Sequence, residues 1–350
     1  MTIANSLSDK PQGFVLVAVI WILAAASLLI TFIASQLEEM QNHALKLEAK
    51  HLARFDRIAI ESAVLYLGAT RTRSYSGLRT VKEVENQNKI ENLFSKDIFR
   101  SQVSDIRLDS RTYLVRGGYE LSLQDAGSLI SLRSERLETL KNLLRAYSVE
   151  GPAAERMIAT LLDYTDLNDY VHLNGAEGND YSAANKLPPT NRFLTSPFQL
   201  YNVIGWRHFL DEHPDFFNEV TIYVGDQRNY NFLTKRGLQI APEIGLEESA
   251  RLMNFRADSA FSDLRMVNEI SGALVDGDLF SLSFVPSPYL RLRLLKPNSG
   301  EEYWIGITFS PESNLAPWEI DYRVTRSFIR REYDVDRKLD PTIPASSFLK

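Results

Sequence analysis

The sequence predicts an α+β protein: a long N-terminal helix carries an antiparallel sheet, and a large helical insertion interrupts that sheet. Three observations lead there. Phe14 to Ala34 are 21 consecutive uncharged positions, and about 20 apolar helical residues cross a bilayer core. Alternating polar and apolar residues at 109–125, and strand-like runs at 278–309, place strands at both ends of the remaining chain. Between them the apolar spacing changes to three and four, the period of helices.

Each element follows from local chemistry. Lys10 is the only basic residue before the apolar run, so the short N-terminus is expected in the cytoplasm and the bulk of the chain outside. No small-x-small cleavage site follows the run, and no proline or glycine interrupts the sequence until Gly68. The helix is therefore predicted to continue to residue 67, a rod of roughly 80 Å at ~1.5 Å per residue. Leu37, Met40, Ala44, Leu47, Phe55, Ile58 and Leu65 fall on one face, expected to lie against a soluble domain. After Gly68 the chain reads as loop and irregular polar sequence. "DSRTYLVRGGYELSLQD" then alternates around Gly-Gly and reads as a hairpin. Residues 125–163 read as helical, with Pro152 in the first turn of its second helix. "EVTIYVG", "DLFSLSFVP", "YLRLRLLKP" and "EYWIGITFS" read as strands, and 247–270 as helix. The organisation predicted is 1–13, 14–67, 68–125, an insertion at 126–277 in two helical parts, 278–328, and a loosely held tail at 329–350.

Composition narrows the function classes. The chain has 350 residues, 44% of them hydrophobic and 24% charged, which suits a folded protein of two or three compact units. A formal charge of −6 argues against a general nucleic-acid binder. The chain has no cysteine, which removes disulfides, thiolate metal sites and thiol nucleophiles but leaves the compartment open.

The unbroken helix, with Gly13-Phe14 at its head, resembles the type IV pilin and pseudopilin family. The resemblance implies a pilin-like head and a leader of residues 1–13, cut after Gly13 by a prepilin peptidase, with Phe14 then methylated. Ala18 stands where most members carry glutamate. A carboxylate in lipid is costly unless it meets a cation, and a subunit without one suits the end of a filament. An ordinary signal anchor with a chance Gly-Phe pair is the competing reading.

The densest chemistry lies in "LLDYTDLNDYVHLNGAEGNDY", residues 161–181. Asp163, Asp166, Asp169, Glu177 and Asp180 are joined by Asn168, Asn174 and Asn179. Carboxylates so close in sequence repel unless a positive charge sits among them, and an oxygen-only donor set favours calcium before zinc. The loop is not an EF-hand: Asp166, Asn168 and Glu177 fit positions one, three and twelve, but Val171 replaces the required glycine. A solvated acidic turn is the alternative.

That run, with "PPTNRFLTSPFQLYNVIGW", "YELSLQDAGSLISLRSERLETLKNLL" and "IYVGDQRNYNFLTKRGLQIAPEI", resembles the K-type minor pseudopilins of the type II secretion system. The resemblance implies a calcium-binding loop, with Asp163, Asp166, Asn168, Asp169, Glu177 and Asp180 as candidate ligands. It also implies a non-enzymatic subunit in the bacterial inner membrane, with its C-terminal domain in the periplasm. Other minor pseudopilins would be its partners, at the tip of a filament that exports folded proteins. Two other readings stand beside it. A minor pilin of a type IV pilus-like fibre shares every N-terminal feature. A membrane-anchored hydrolase would use the acidic loop with His172, but the five histidines form no His-x-x-x-His pair and no nucleophile elbow or phosphate loop is present. His172 is read as a surface residue, and Trp206, Phe209, Phe216 and Phe217 as a helical core.

Overall fold

The computed structural model describes residues 13–80, 105–133, 137–224, 227–241, 244–275, 282–297 and 300–327. The expected leader before Gly13, the polar segment at 81–104, the first four residues of "DLFSLSFVP" and the tail at 329–350 lie outside them. The chain divides into two compact units, residues 1–56 and 57–350.

Helix α1 (Gly13–Thr70) is continuous, as the absence of proline permits. Among the described residues it is the one helix long and apolar enough to cross a membrane, and its apolar side chains, Trp21, Leu28 and Phe32 among them, are exposed. It is a candidate membrane anchor. The predicted amphipathic face needs correction: Leu37, Met40, Ala44, Leu47, Phe55 and Ile58 are exposed, and only Leu65 is buried. Helical spacing shows which residues share a face but not where cover begins. Here the run of core residues begins at Ile60, and Ile60, Val64 and Leu67 join one hydrophobic core with the sheet.

Among the described residues, nine strands follow. A short ladder joins β1 (Gly77–Leu78) to β2 (Ile106–Arg107). The main sheet contains β3 (Asp109–Val115), β4 (Tyr119–Asp125), β7 (Tyr289–Lys296), β8 (Glu301–Phe309) and β9 (Trp318–Ser327), in the order β3-β4-β7-β8-β9. Every pairing in it is antiparallel. The predicted hairpin is β3–β4. Strands β4 and β7 are direct neighbours, with Asp125 opposite Leu290, so everything between them in sequence leaves the sheet and returns to the adjacent position. A parallel ladder of β5 (Ile130–Ser131) with β6 (Val220–Thr221) stands apart from the main sheet.

Alternation gives the sheet two occupied faces. Leu121, Leu123, Leu292, Leu294, Ile305 and Ile307 share a core with the end of α1. Trp304 and Tyr322 point to the other side and join the core of the first part of the insertion. That part holds α2 (Leu137–Ala146), α3 (Gly151–Thr165), α4 (Gly178–Ala183) and α5 (Trp206–Glu212). Its centre is aromatic, as expected from sequence: Trp206, Phe216 and Phe217 are fully buried, and Trp206 Nε1 donates to Met157 O at 2.9 Å. The second part holds α6 (Lys235–Gln239), α7 (Leu246–Asp258) and α8 (Leu264–Ser271), around Tyr230, Leu238, Leu252, Phe261 and Val267.

Three sequence expectations change. "EVTIYVG" yields only the two-residue β6, because its partner β5 is equally short and Ile222 and Tyr223 turn into the first insertion core. Of "DLFSLSFVP", the described part contributes a single parallel bridge, Leu282 to Arg228. The helix expected over 247–270 is two helices. The break at 259–263 puts Phe261 into the core, and Asp263 starts α8 by accepting from Met266 N at 3.1 Å. Asp263→Ala is expected to lower stability by about 1 kcal/mol through loss of this cap, read as a shift in the urea midpoint.

Candidate metal centre

The acidic residues converge where α3 ends. Pro152 sits in the first turn of α3, and Asp166 caps its other end, its N–H reaching Leu162 O at 2.9 Å. Asp163, one turn earlier, is fully buried. The chain then loops out and turns back at Asn174, which holds a φ of 67°, and Gly175. This return brings the loop backbone onto Asp163. Its Oδ2 accepts from Ala176 N at 2.7 Å, and its Oδ1 accepts from His172 N at 3.1 Å. The His172 ring adds a close contact from Nδ1 to Asp163 Oδ1. Gly175 is required by this approach, because a Cβ there would overlap Asp163 Oδ2.

Glu177 and Asp180 then build the start of α4. They form a reciprocal capping box in which Glu177 N donates to Asp180 Oδ2 at 3.0 Å, satisfying N–H groups the helix leaves open. Tyr181, fully buried on α4, packs against Tyr164 of α3 at 5.9 Å between ring centres and accepts from Ile204 N at 3.1 Å. The loop is thus fastened at both ends.

The six predicted ligands divide. Asp163 and Asp166 come together with the His172 ring, and Glu177 lies near enough for their charges to act on it. Asp166 Oδ2 and Glu177 Oε1 are buried oxygens with no hydrogen-bond donor. Desolvation first, and then the charges of Asp163, Asp166 and Asp169, raise the Glu177 carboxyl above its ordinary range. Buried acceptors that no donor meets, among like charges, are unstable without a counter-charge. The other three are more exposed or otherwise engaged. Asn168 Oδ1 accepts from Tyr170 N at 2.8 Å, Asp169 Oδ1 accepts from Asn191 Nδ2 at 2.9 Å, and Asp180 closes the capping box.

His172 was read as a surface residue. Its side chain is half-exposed, but its ring lies in the cluster: the ligand atoms of Asp163, Asp166 and His172 fall within 4.8 Å of one another. Sequence reasoning places the histidine in the loop but sets it aside, because the five histidines form no His-x-x-x-His pair. The Asn-Gly turn behind it was the available signal that the chain doubles back.

No protein-family model matches this sequence, and no curated protein matches it. The architecture does have a counterpart. A chain in the crystal structure of the GspK-GspI-GspJ complex from the enterotoxigenic Escherichia coli type 2 secretion system aligns with a TM-score of 0.51. The two chains share a fold. The likeness covers 82% of this chain and 99% of that one at 15% identity, so it is carried by architecture rather than by sequence. It bears out the pilin-like α+β class expected from the N-terminal motif and the interrupted sheet.

Proposed function

We propose that this chain is a K-type minor pseudopilin that initiates or caps the short periplasmic filament of a type II secretion system. The observation that carries the reading is the placement of the insertion. It sits between two directly paired strands, β4 and β7, of a head built on the end of a membrane-length helix, in a fold shared with a chain of a pseudopilin complex. In this reading α1 lies in the inner membrane and the head in the periplasm. A prepilin peptidase cuts after Gly13 and Phe14 becomes methylated. The helices of other minor pseudopilins pack beside α1. The bulk of the insertion opposes repeated stacking along a filament, and Ala18 leaves no carboxylate to neutralise a neighbouring terminal amine. Both favour the tip. The role requires no catalysis.

The acidic loop belongs to the same proposal as a structural divalent-cation centre, with calcium as the ion the resemblance implies. Asp163, Asp166 and Glu177 would hold it, and its charge would meet the two donorless oxygens and relieve the repulsion around Glu177.

Two measurements test the reading. Co-expression with a prepilin peptidase and minor pseudopilins of the same organism should yield a chain lacking residues 1–13, detected by mass spectrometry and co-purifying with those partners. An uncut chain that purifies alone would overturn it. Calcium should stabilise the full-length chain in detergent by about 3 to 4 kcal/mol over chelator at 100 to 1,000 times its dissociation constant, read from thermal melting.

A further inference from the structure

Large apolar side chains left in water are not spread evenly over the head. Leu167, Tyr170 and Leu173 are 88%, 83% and 90% exposed, and Val171 among them is exposed too. All four belong to the loop between α3 and α4. Leu187, 86% exposed, lies on the segment that follows α4. Hydrogen bonds hold the two segments side by side: Asn191 Nδ2 donates to Asp169 Oδ1 at 2.9 Å and to Asn168 O at 3.4 Å. Single exposed leucines are ordinary on a protein surface, whereas a group of them marks a contact surface.

The backbone beneath this group is fixed. Asp163 accepts from His172 N and Ala176 N, and the capping box of Glu177 and Asp180 ties down the far end of the loop. Side chains carried on a fixed backbone have less freedom to lose when a partner covers them.

Charge selects the partner. Residues 163 to 193 carry five carboxylates against Lys186 and Arg192, a formal charge of −3 with His172 neutral. A second copy of this chain would bring the same charge to the contact, and an anionic lipid surface is repelled in the same way. A basic partner is attracted. Tyr170 follows Asp169 directly, so a cation drawn to that carboxylate also meets an exposed aromatic ring. The chain displays this pairing once itself: the Arg133 guanidinium lies 4.3 Å from the centre of the Phe193 ring, two residues from Asn191.

We infer that Leu167, Tyr170, Leu173 and Leu187 form a docking surface for a second protein, one that presents apolar side chains flanked by lysine or arginine.

The test uses the full-length chain in phosphatidylcholine nanodiscs, with chelator present so that the result is independent of any cation at the loop. Fluorescence anisotropy follows two labelled helical peptides of equal length, one of leucine and lysine, the other of leucine and glutamate. The lysine peptide should bind about tenfold more tightly or better, and its affinity should fall as salt rises. Tyr170→Ser and Leu173→Ser should each weaken it by about fivefold or more. Their melting curves should match that of the original chain, because both side chains stand in water. Asp169→Asn keeps an acceptor for Asn191 and should weaken the lysine peptide alone, by about threefold. Leu274→Ser, at a leucine 87% exposed beyond α8, should leave binding within about twofold. Equal affinity for the two peptides, or equal loss in Leu274→Ser and Leu173→Ser, would mean unselective adhesion and overturn the inference. It is also overturned if empty nanodiscs bind the lysine peptide as well as loaded ones. Self-association of loaded nanodiscs that Leu173→Ser abolishes would overturn it too, by making the occupant a second copy.

Discussion

Asp163→Ala is expected to destabilise the protein by about 2–4 kcal/mol and to abolish the cation binding proposed for the acidic loop. The carboxylate is fully buried and accepts from two backbone N–H groups, those of His172 and Ala176. Alanine leaves both without a partner, at roughly 1–3 kcal/mol for each buried orphan. Relief of the carboxylate's own desolvation offsets part of that loss. Asp163→Asn separates the two roles: one amide oxygen can still serve a backbone donor, but the negative charge is gone. Urea titration with and without added cation reads the difference. Equal midpoints for the original and Asp163→Ala chains would show that this side chain does not hold the loop closed.

Arg291→Ala should rank with it, at about 3–5 kcal/mol. Arg291 stands on β7, is buried, and points away from the α1 side of the sheet. Its Nη1 donates to Phe217 O at 2.8 Å and Val220 O at 3.2 Å, and its Nη2 to Asn218 O at 2.8 Å. One guanidinium thus satisfies three carbonyls of the segment that ends the first part of the insertion. Its face lies 5.0 Å from the centre of the Trp304 ring. Burial pushes its pKa down to about 10, so the group stays charged at neutral pH. Arg291→Lys cannot reproduce the planar fork and should recover only a fraction. Hydrogen exchange distinguishes the mechanism: protection should fall at 217–221 while β8 remains protected. Uniform loss across both would mean that Arg291 supports the sheet itself, not its junction with the insertion.

Much of the sheet was legible in sequence because its pattern is local. Strand β3 and strand β4 alternate around Gly117-Gly118, and β7 and β8 are dense in strand-favouring side chains. Strand β9 was equally legible and was missed: Trp318, Ile320, Tyr322 and Val324 alternate with polar or charged residues, the strand period. "EVTIYVG" misled, since its β-branched and aromatic residues serve a helical core rather than a ladder. In the acidic loop, the carboxylates were visible as a cluster in sequence. Their division was not, because it depends on which oxygens the backbone consumes. Capping by Asp180, the Asn191 contact to Asp169 and the return of His172 onto Asp163 are all products of the loop closing on itself.

The two isolated parallel contacts have a consequence for how this chain can change. Ile130 lies opposite Val220, and Arg228 lies opposite Leu282. Each pair stands where the chain departs into one helical part and where it comes back, so entry and exit are a strand's width apart, about 4.8 Å. Segments attached in this way behave as cassettes. Lengthening one imposes little further closure entropy, about 0.6 kcal/mol for each doubling of an unconstrained loop. It also need not disturb the register of β4 on β7. A lineage could enlarge, trim or exchange either cassette while the sheet and the anchoring helix stay as they are.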